Sequence, residues 1–424
     1  MKKTTILFFA TIMALTVSGC NKSEKPFSPG LDTSTACKIS VKGHYDNFEA
    51  LDEQIHKFNA IYPNIEVTYS KVDNYTKKEV ADALFIGDSA PDIYFINNAW
   101  ETDARYTNLF TNAEDLSDSS FGIDLANVRS ELIYKDAENH IPSVPIFTNT
   151  YGMMVNEEIF ANNNLSIPKT YEELVRVCNS LIDAGYENPV MSYKGSIYSL
   201  YFPYFLSTLN GNQEAVNVLN NLDAATAGSY LRSSLELTQD FNTYNFIDKA
   251  KCTSEIAKDN TDSICFRFYK GDVPMMFTEV NRMSGSSKRE TDSADYQAHQ
   301  FKYSFHPVPS DDKGGYYFNT LTLSFAVYKD SANVTLANEF MRFLIRSQSL
   351  NEMNANKRQI SPAQKLGDDQ FFNSFKDVLA DNRVLYNPVI GLSSEADTQA
   401  RKTFDALQSG KTIDEAISGY GTYA

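Results

Sequence analysis

Two short runs of aromatic and polar side chains follow apolar segments in this chain. His44, Tyr45 and Asp46 come after the alternating Lys38-Ile39-Ser40-Val41, and Asn97, Asn98 and Trp100 come after Asp92-Ile93-Tyr94-Phe95-Ile96. Aromatic faces stack on C–H surfaces, and Asp, Asn and Glu bind hydroxyls in pairs, so these are the groups a sugar requires. Ordinary packing or capping is an equal alternative for Trp100 and Asp46, and His44 reads as a loop residue. A third group, Tyr198, Tyr201, Phe202, Pro203, Tyr204 and Phe205, is dense in rings. Packing on a helix accounts for most of it, with Tyr198 and Tyr201 kept as ligand candidates.

Catalytic signatures are missing. The chain has no H-E-x-x-H, no G-x-S-x-G elbow, no Walker loop, and no G-x-G-x-x-G after a strand. The five histidines lie at 44, 56, 140, 299 and 306, without metal-ligand spacing. Asp311-Asp312 lacks the alternating carboxylates of a calcium loop and reads as a solvated turn. No metal, cofactor or catalytic residue is therefore expected. Cys37, Cys178, Cys252 and Cys265 form no C-x-x-C pair; Cys252 and Cys265 could be a disulfide or two thiols.

These residues belong to a chain of 424, longer than a single core usually sustains, so two lobes are expected. The net charge of −16 opposes binding to phosphate backbones and excludes nucleic acid as an expected partner. Lys2 and Lys3 precede an apolar stretch from Ile6 to Val17, the pattern of an export signal over residues 1–20. From 21 to 36 the chain is polar and carries Pro26, Pro29 and Gly30, as a flexible tether would. No later segment has about 18 uninterrupted apolar residues.

Strands and helices then alternate. Residues 38–41 and 65–69 read as strands, with Phe48, Leu51, Ile55, Phe58 and Ile61 at helical spacing between them. Residues 92–96 read as a buried strand, so a parallel α/β sheet is expected. Thr170 and Glu173 form a capping box for a helix that Gly185 stops. Residues 264–268, 273–277, 305–308 and 321–328 read as strands, 310–315 as a turn, and 337–344 as helix.

The ending Val17-Ser18-Gly19-Cys20 resembles the lipobox of bacterial lipoproteins, which implies a lipid on Cys20 and a membrane-anchored protein on the extracytoplasmic face. More widely, the chain resembles the family 1 extracellular solute-binding proteins. The similar segments are Phe58 to Val67, Gly87-Asp88-Ser89-Ala90-Pro91-Asp92-Ile93, Tyr151 to Phe160 followed by Ile167 to Leu174, and Gly271-Asp272-Val273-Pro274-Met275-Met276. The resemblance implies an α/β, two-lobe periplasmic-binding-protein-like (type II) fold that closes an interlobe cleft by a hinge. It implies residues 37–149 plus 275–328 as the N-terminal lobe and 150–274 plus 329–424 as the C-terminal lobe. With Tyr45, Asp46, Asn98 and Trp100, which follow strands and so lie where open α/β sheets bind ligands, the candidate ligand contacts are Tyr151, Tyr198, Tyr201, Glu279, Tyr317 and Asn319, the last three pointing toward the hinge by resemblance. The implied role is a monomeric binding lipoprotein that hands a carbohydrate to the permease of an ABC importer. A secreted glycan-processing enzyme with a carboxylate pair, a sensor for a membrane kinase, and a binder of peptide or another polar solute are the alternatives. With one Trp beside 25 Tyr and 28 Phe, most stacking would fall to tyrosine.

Overall fold

A computed structural model describes residues 24–45, 48–97, 100, 105–192, 198–248, 261–283, 286–311, 313–368, 373–386 and 390–423. The signal, Cys20 and Cys252 lie outside the described residues.

Strand and helix alternate at the start for the reasons legible in the sequence. β1 (Cys37–Gly43) and β2 (Ile65–Lys71) pair in parallel, Cys37 with Ile65, and β1 also pairs in parallel with β3 (Ile93–Asn97). All five residues of β3 are buried, as suits a central strand covered on both faces. Between β1 and β2, α1 (Glu49–Asn59) turns Ala50, Leu51 and Phe58 inward. Gly43 ends β1 beneath the Phe95 ring, where a Cβ would fall 1.7 Å from a ring carbon, so no larger residue fits there.

Two long strands tie the molecule together. β4 (Val144–Asn156) and β9 (Gly314–Val327) run antiparallel, from Val144 opposite Phe325 to Tyr151 opposite Phe318. The register slips between Pro145 and Phe147 and again between Asn149 and Thr150. Such irregularities bend a strand. β5 (Val190–Ser192), β6 (Met275–Glu279), β7 (Tyr303–His306), β8 (Val308–Asp311) and β10 (Val384–Tyr386) complete the sheet, whose main order is β2-β1-β3-β9-β4-β6-β5.

The buried side chains form two cores, and the long strands feed both. Val144, Ile146 and Phe147 of β4 lie in the first, whereas Met153, Met154 and Val155 lie in the second. On β9, Tyr316–Phe318 belong to the second and Phe325–Val327 to the first. A third passage runs from Met353 in the first core to Ile360 in the second, where the Thr148 hydroxyl donates to the Ile360 carbonyl at 2.7 Å.

Several expectations change. Residues 264–268 are helical, within α4 (Thr261–Tyr269), because Cys265, Phe268 and Tyr269 bury one helical face. The supposed turn over 310–315 shrinks to the gap between β8 and β9. Cys265 keeps its thiol, donating to the Arg282 carbonyl at 2.7 Å. The lobe limits also move: β6 and β7 pair with the second half of β4, so Met275–Phe277 and Phe305 join the second core. Helices α6 (Val334–Leu344) and α7 (Ser347–Lys357) join the first, where Phe340 and Phe343 meet Phe58 edge-on at 4.9 and 5.5 Å. The tether is partly docked, with Phe27 and Leu31 packed against that same core. By contrast, the capping box forms as read: the Glu173 N–H donates to Thr170 Oγ1 at 3.2 Å and opens α2 (Tyr171–Asp183).

Candidate ligand-binding site

The carboxyl ends of parallel strands from both cores meet at the middle of β4 and β9. β3 ends at Asn97 opposite Leu323, and β1 ends beside it. From the other side, β6 ends at Glu279 opposite Tyr151, and β10 ends at Tyr386 opposite Asn319. Ligands of open α/β sheets bind beyond such ends.

The first wall is aromatic. Tyr45 follows β1 with its ring 4.4 Å from His44 and 5.4 Å from Phe48, and edge-on to Phe95 at 5.6 Å. Its backbone is held from both sides by one hydroxyl: the Tyr45 N–H donates to Tyr69 Oη, which donates back to the Tyr45 carbonyl, each at 3.0 Å. Burial pushes the Tyr45 phenol up to about 12 and holds His44 below its ordinary range, so both are neutral at pH 7. Trp100, half-buried, stacks on Tyr106 at 4.3 Å and 20° and lies 6.5 Å from Tyr75. Arg105 sits over the Tyr106 ring at 5.2 Å. One face of the indole is therefore already covered.

The floor is polar. Thr150 Oγ1 donates to Asn319 Oδ1 at 2.7 Å, which fixes the amide and leaves its Nδ2 without an acceptor in the protein. Asn319 is 1% exposed, and a buried donor left unpaired is costly. Tyr151 and Glu279 are neighbours across β4 and β6, both half-buried, with Glu279 3.8 Å from Arg282.

Tyr317 is removed from the candidates. It lies fully buried in the second core, its hydroxyl donating to the Phe305 carbonyl at 3.0 Å and meeting Ser374 Oγ at 2.8 Å. It shares a sheet face with Asn319, but two residues along β9 that face is covered by Phe305 and Phe375. Asp46 and Asn98 fall outside the described residues. Tyr198 and Tyr201 are on α3 (Tyr198–Leu209), of which only the backbone is described at those positions.

Two residues that sequence reading missed stand beside the floor. Tyr386 is one. Arg401, on α8 (Ser394–Gln408), is ion-paired with Asp397 at 2.6 Å. Burial lowers Arg401 to about 10, and the nearby Tyr151 phenol acts in the opposite sense. Both come from the end of the chain, more than 230 residues after Tyr151, and nothing local marks them.

The model of the family described as bacterial extracellular solute-binding protein matches residues 42–349. The structure is similar to the sugar-binding protein MalE from Xanthomonas citri, with a TM-score of 0.69 and 13% identity over 91% of this chain and 95% of that one. It is also similar to the apo form of RafE from Streptococcus pneumoniae, with a TM-score of 0.67 and 15% identity over 93% and 99% of the two chains. A third is maltose-bound MalE3 of T. maritima, with a TM-score of 0.63 and 17% identity over 91% and 98%. Among curated proteins none matches this chain in sequence. At these identities the likeness establishes the fold, the two-lobe arrangement of periplasmic binding proteins.

Proposed function

Since this chain belongs to the bacterial extracellular solute-binding proteins, we propose that it captures a carbohydrate between its lobes and delivers it to the permease of an ABC importer. It does so as a monomer, held to the membrane by a lipid on Cys20. The family and the structural relatives are binding proteins, not enzymes. The observation that carries the sugar reading is the pair of half-buried rings Tyr45 and Trp100, backed by the buried Tyr75 and Tyr106, together with the unpaired Asn319 donor in the middle of β9. Flat rings meet the C–H faces of a pyranose, and the amide donor meets a hydroxyl oxygen. MalE3 was solved with maltose and RafE with raffinose, which favours an oligosaccharide as the first ligand to try.

Capture requires motion. The bends in β4 and β9, with the chain beyond Met353 where Ile360 and Ala363 lie in different cores, are connections about which the lobes would close. A thermal-shift screen with mono- and oligosaccharides, peptides and amino acids tests the reading. A ligand bound by the folded state alone raises the melting temperature in proportion to RT ln(1 + [L]/Kd). Stabilisation by sugars but not peptides supports the proposal; stabilisation by peptides alone replaces the carbohydrate. Hydrolysis of a saccharide during the screen would favour the glycan-processing alternative.

A further inference from the structure

Residues 24–31 are strapped to α6 and α7. Glu24 reaches the start of α7, where it accepts the Gln348 N–H at 2.9 Å and pairs with Arg346 at 3.5 Å. Arg346 sits at the N-cap of α7 and supplies no side-chain cap, so Glu24 brings the acceptor and negative charge that this helix end otherwise lacks. Arg346 Nη2 also donates to the Lys25 carbonyl at 2.6 Å.

The next residues continue along α6. Phe27 meets Phe343 edge-on at 5.3 Å, while Arg342 lies over the Phe27 ring at 4.5 Å and donates to the Ser28 carbonyl at 2.7 Å. The Gly30 N–H donates to Glu339 Oε1 at 2.8 Å, and the Leu31 N–H reaches the Tyr62 hydroxyl at 3.4 Å. Glu339 is 5% exposed. Burial pushes its carboxyl up, but Arg342, the Gly30 N–H and Tyr62 outweigh this and hold it below its ordinary value. A Cβ at Gly30 would lie 3.0 Å from both Arg342 Nη2 and Glu339 Oε2, so a larger side chain there presses on the ion pair that holds the strap.

We infer that residues 24–31 are an orienting strap that turns the junction of α6 and α7 toward the bilayer headgroups. This rests on the proposed lipid at Cys20. Glu24 is four steps along the chain from Cys20, a reach of about 14 Å at full extension, whereas a free segment to Cys37 would allow about 55–60 Å. The first core is thereby held against the membrane by one end, with Arg346 and Gln348 nearest the headgroups. The second core is left to move about the connections to it.

Hydrogen exchange on the lipidated full chain tests this, in phosphatidylethanolamine–phosphatidylglycerol vesicles and in detergent micelles. Peptides covering 24–31 should exchange at least tenfold slower than a free chain in both. Residues 342–352 should gain protection in vesicles only. Gly30→Leu should abolish both effects while the peptides of the two cores keep their native protection. Free-chain exchange of 24–31 in vesicle-bound protein overturns the strap. Protection of 24–31 in a chain that stays out of the membrane fraction, with Cys20→Ala processed as the native chain is, overturns the anchor and the bilayer-facing assignment with it.

Discussion

Arg358 and Glu290 form an ion pair between the two cores, Arg358 Nη1 standing 2.9 Å from Glu290 Oε1. Arg358 ends α7, whose Leu350 and Met353 are buried in the first core, and it does so in a left-handed conformation with φ of 47°. Glu290 is on α5 (Ser286–Asp292) and meets the hydroxyl of Tyr303, a residue that packs on the second core. The same guanidinium donates to Tyr303 Oη at 2.6 Å. Burial pushes Arg358 down, but Tyr303 and Glu290 outweigh it and raise it above its ordinary value, so the cation is retained.

This pair should act as a latch between lobes. With both side chains no more than a quarter exposed, a double-mutant cycle of Arg358→Ala and Glu290→Gln should give a coupling of about 1–3 kcal/mol in urea unfolding. Either variant should also change the radius of gyration of the ligand-free protein in small-angle scattering. Additive effects together with an unchanged scattering curve would mean that the pair does not couple the lobes.

Acid should weaken the second core through His306. Burial lowers this imidazole to about 4, with a smaller opposing effect from Glu157. The unfolded chain binds a proton near pH 6.5 while the native one does not, so stability is complete above that pH and falls as pH drops toward 4. The expected loss is about 2 kcal/mol by pH 5. His44, also lowered by burial, adds to the loss with the same sign. Urea melts at pH 7.5 and 5.0 should show the drop, and His306→Gln should shrink it. An identical drop in the variant would assign the pH dependence elsewhere.

Much of this fold could be read from local pattern, and the reason is visible in particular residues. Alternation in Cys37–Gly43, helical spacing through Phe58, and the apolar run at Ile93 are short-range signals that tertiary packing did not override. The 264–268 run misled because a short apolar stretch fits strand and helix equally. Core membership was hardest. Residues 337–353 follow β9 in sequence but return to pack on α1, a long-range choice made by Phe58 and Tyr62 that no window along the chain contains. The same limit applies to the site: Tyr45 and Trp100 follow strands directly, whereas Tyr386 and Arg401 are brought in by the register of β10 and the placement of α8.

Removing the Tyr69 hydroxyl should weaken ligand binding without touching ligand. It clamps the Tyr45 N–H and carbonyl at once, so Tyr69→Phe frees the loop that carries the first aromatic contact. Affinity for whichever sugar the thermal screen identifies should fall about threefold to thirtyfold in calorimetry, with a loss of about 1 kcal/mol in stability. Equal loss of binding in Tyr45→Ala and in the double variant would place both residues on one path. Unchanged affinity in Tyr69→Phe would show that Tyr45 is positioned by ring packing alone.

Trp100 is the only indole in the chain, so its emission has a single source at the end of β3. Tyr106 covers one of its faces at 4.3 Å, so a stacked sugar would have to use the other. Saturating ligand should therefore quench or shift the emission, and Trp100→Ala should weaken binding by about 1–3 kcal/mol, as loss of a stacked aromatic does. Because the Tyr106 stack is lost as well, the ligand-free protein should melt a few degrees lower. The two effects separate in Tyr106→Leu, which removes the stack but keeps the indole. That variant should reproduce most of the drop in melting temperature with a smaller loss of affinity. If Trp100→Ala instead binds sugar normally once folded, and the emission ignores ligand, the indole belongs to the packing of the first lobe. Recognition would then rest on tyrosines such as Tyr45 and Tyr151, and the preference for a carbohydrate would lose its main support.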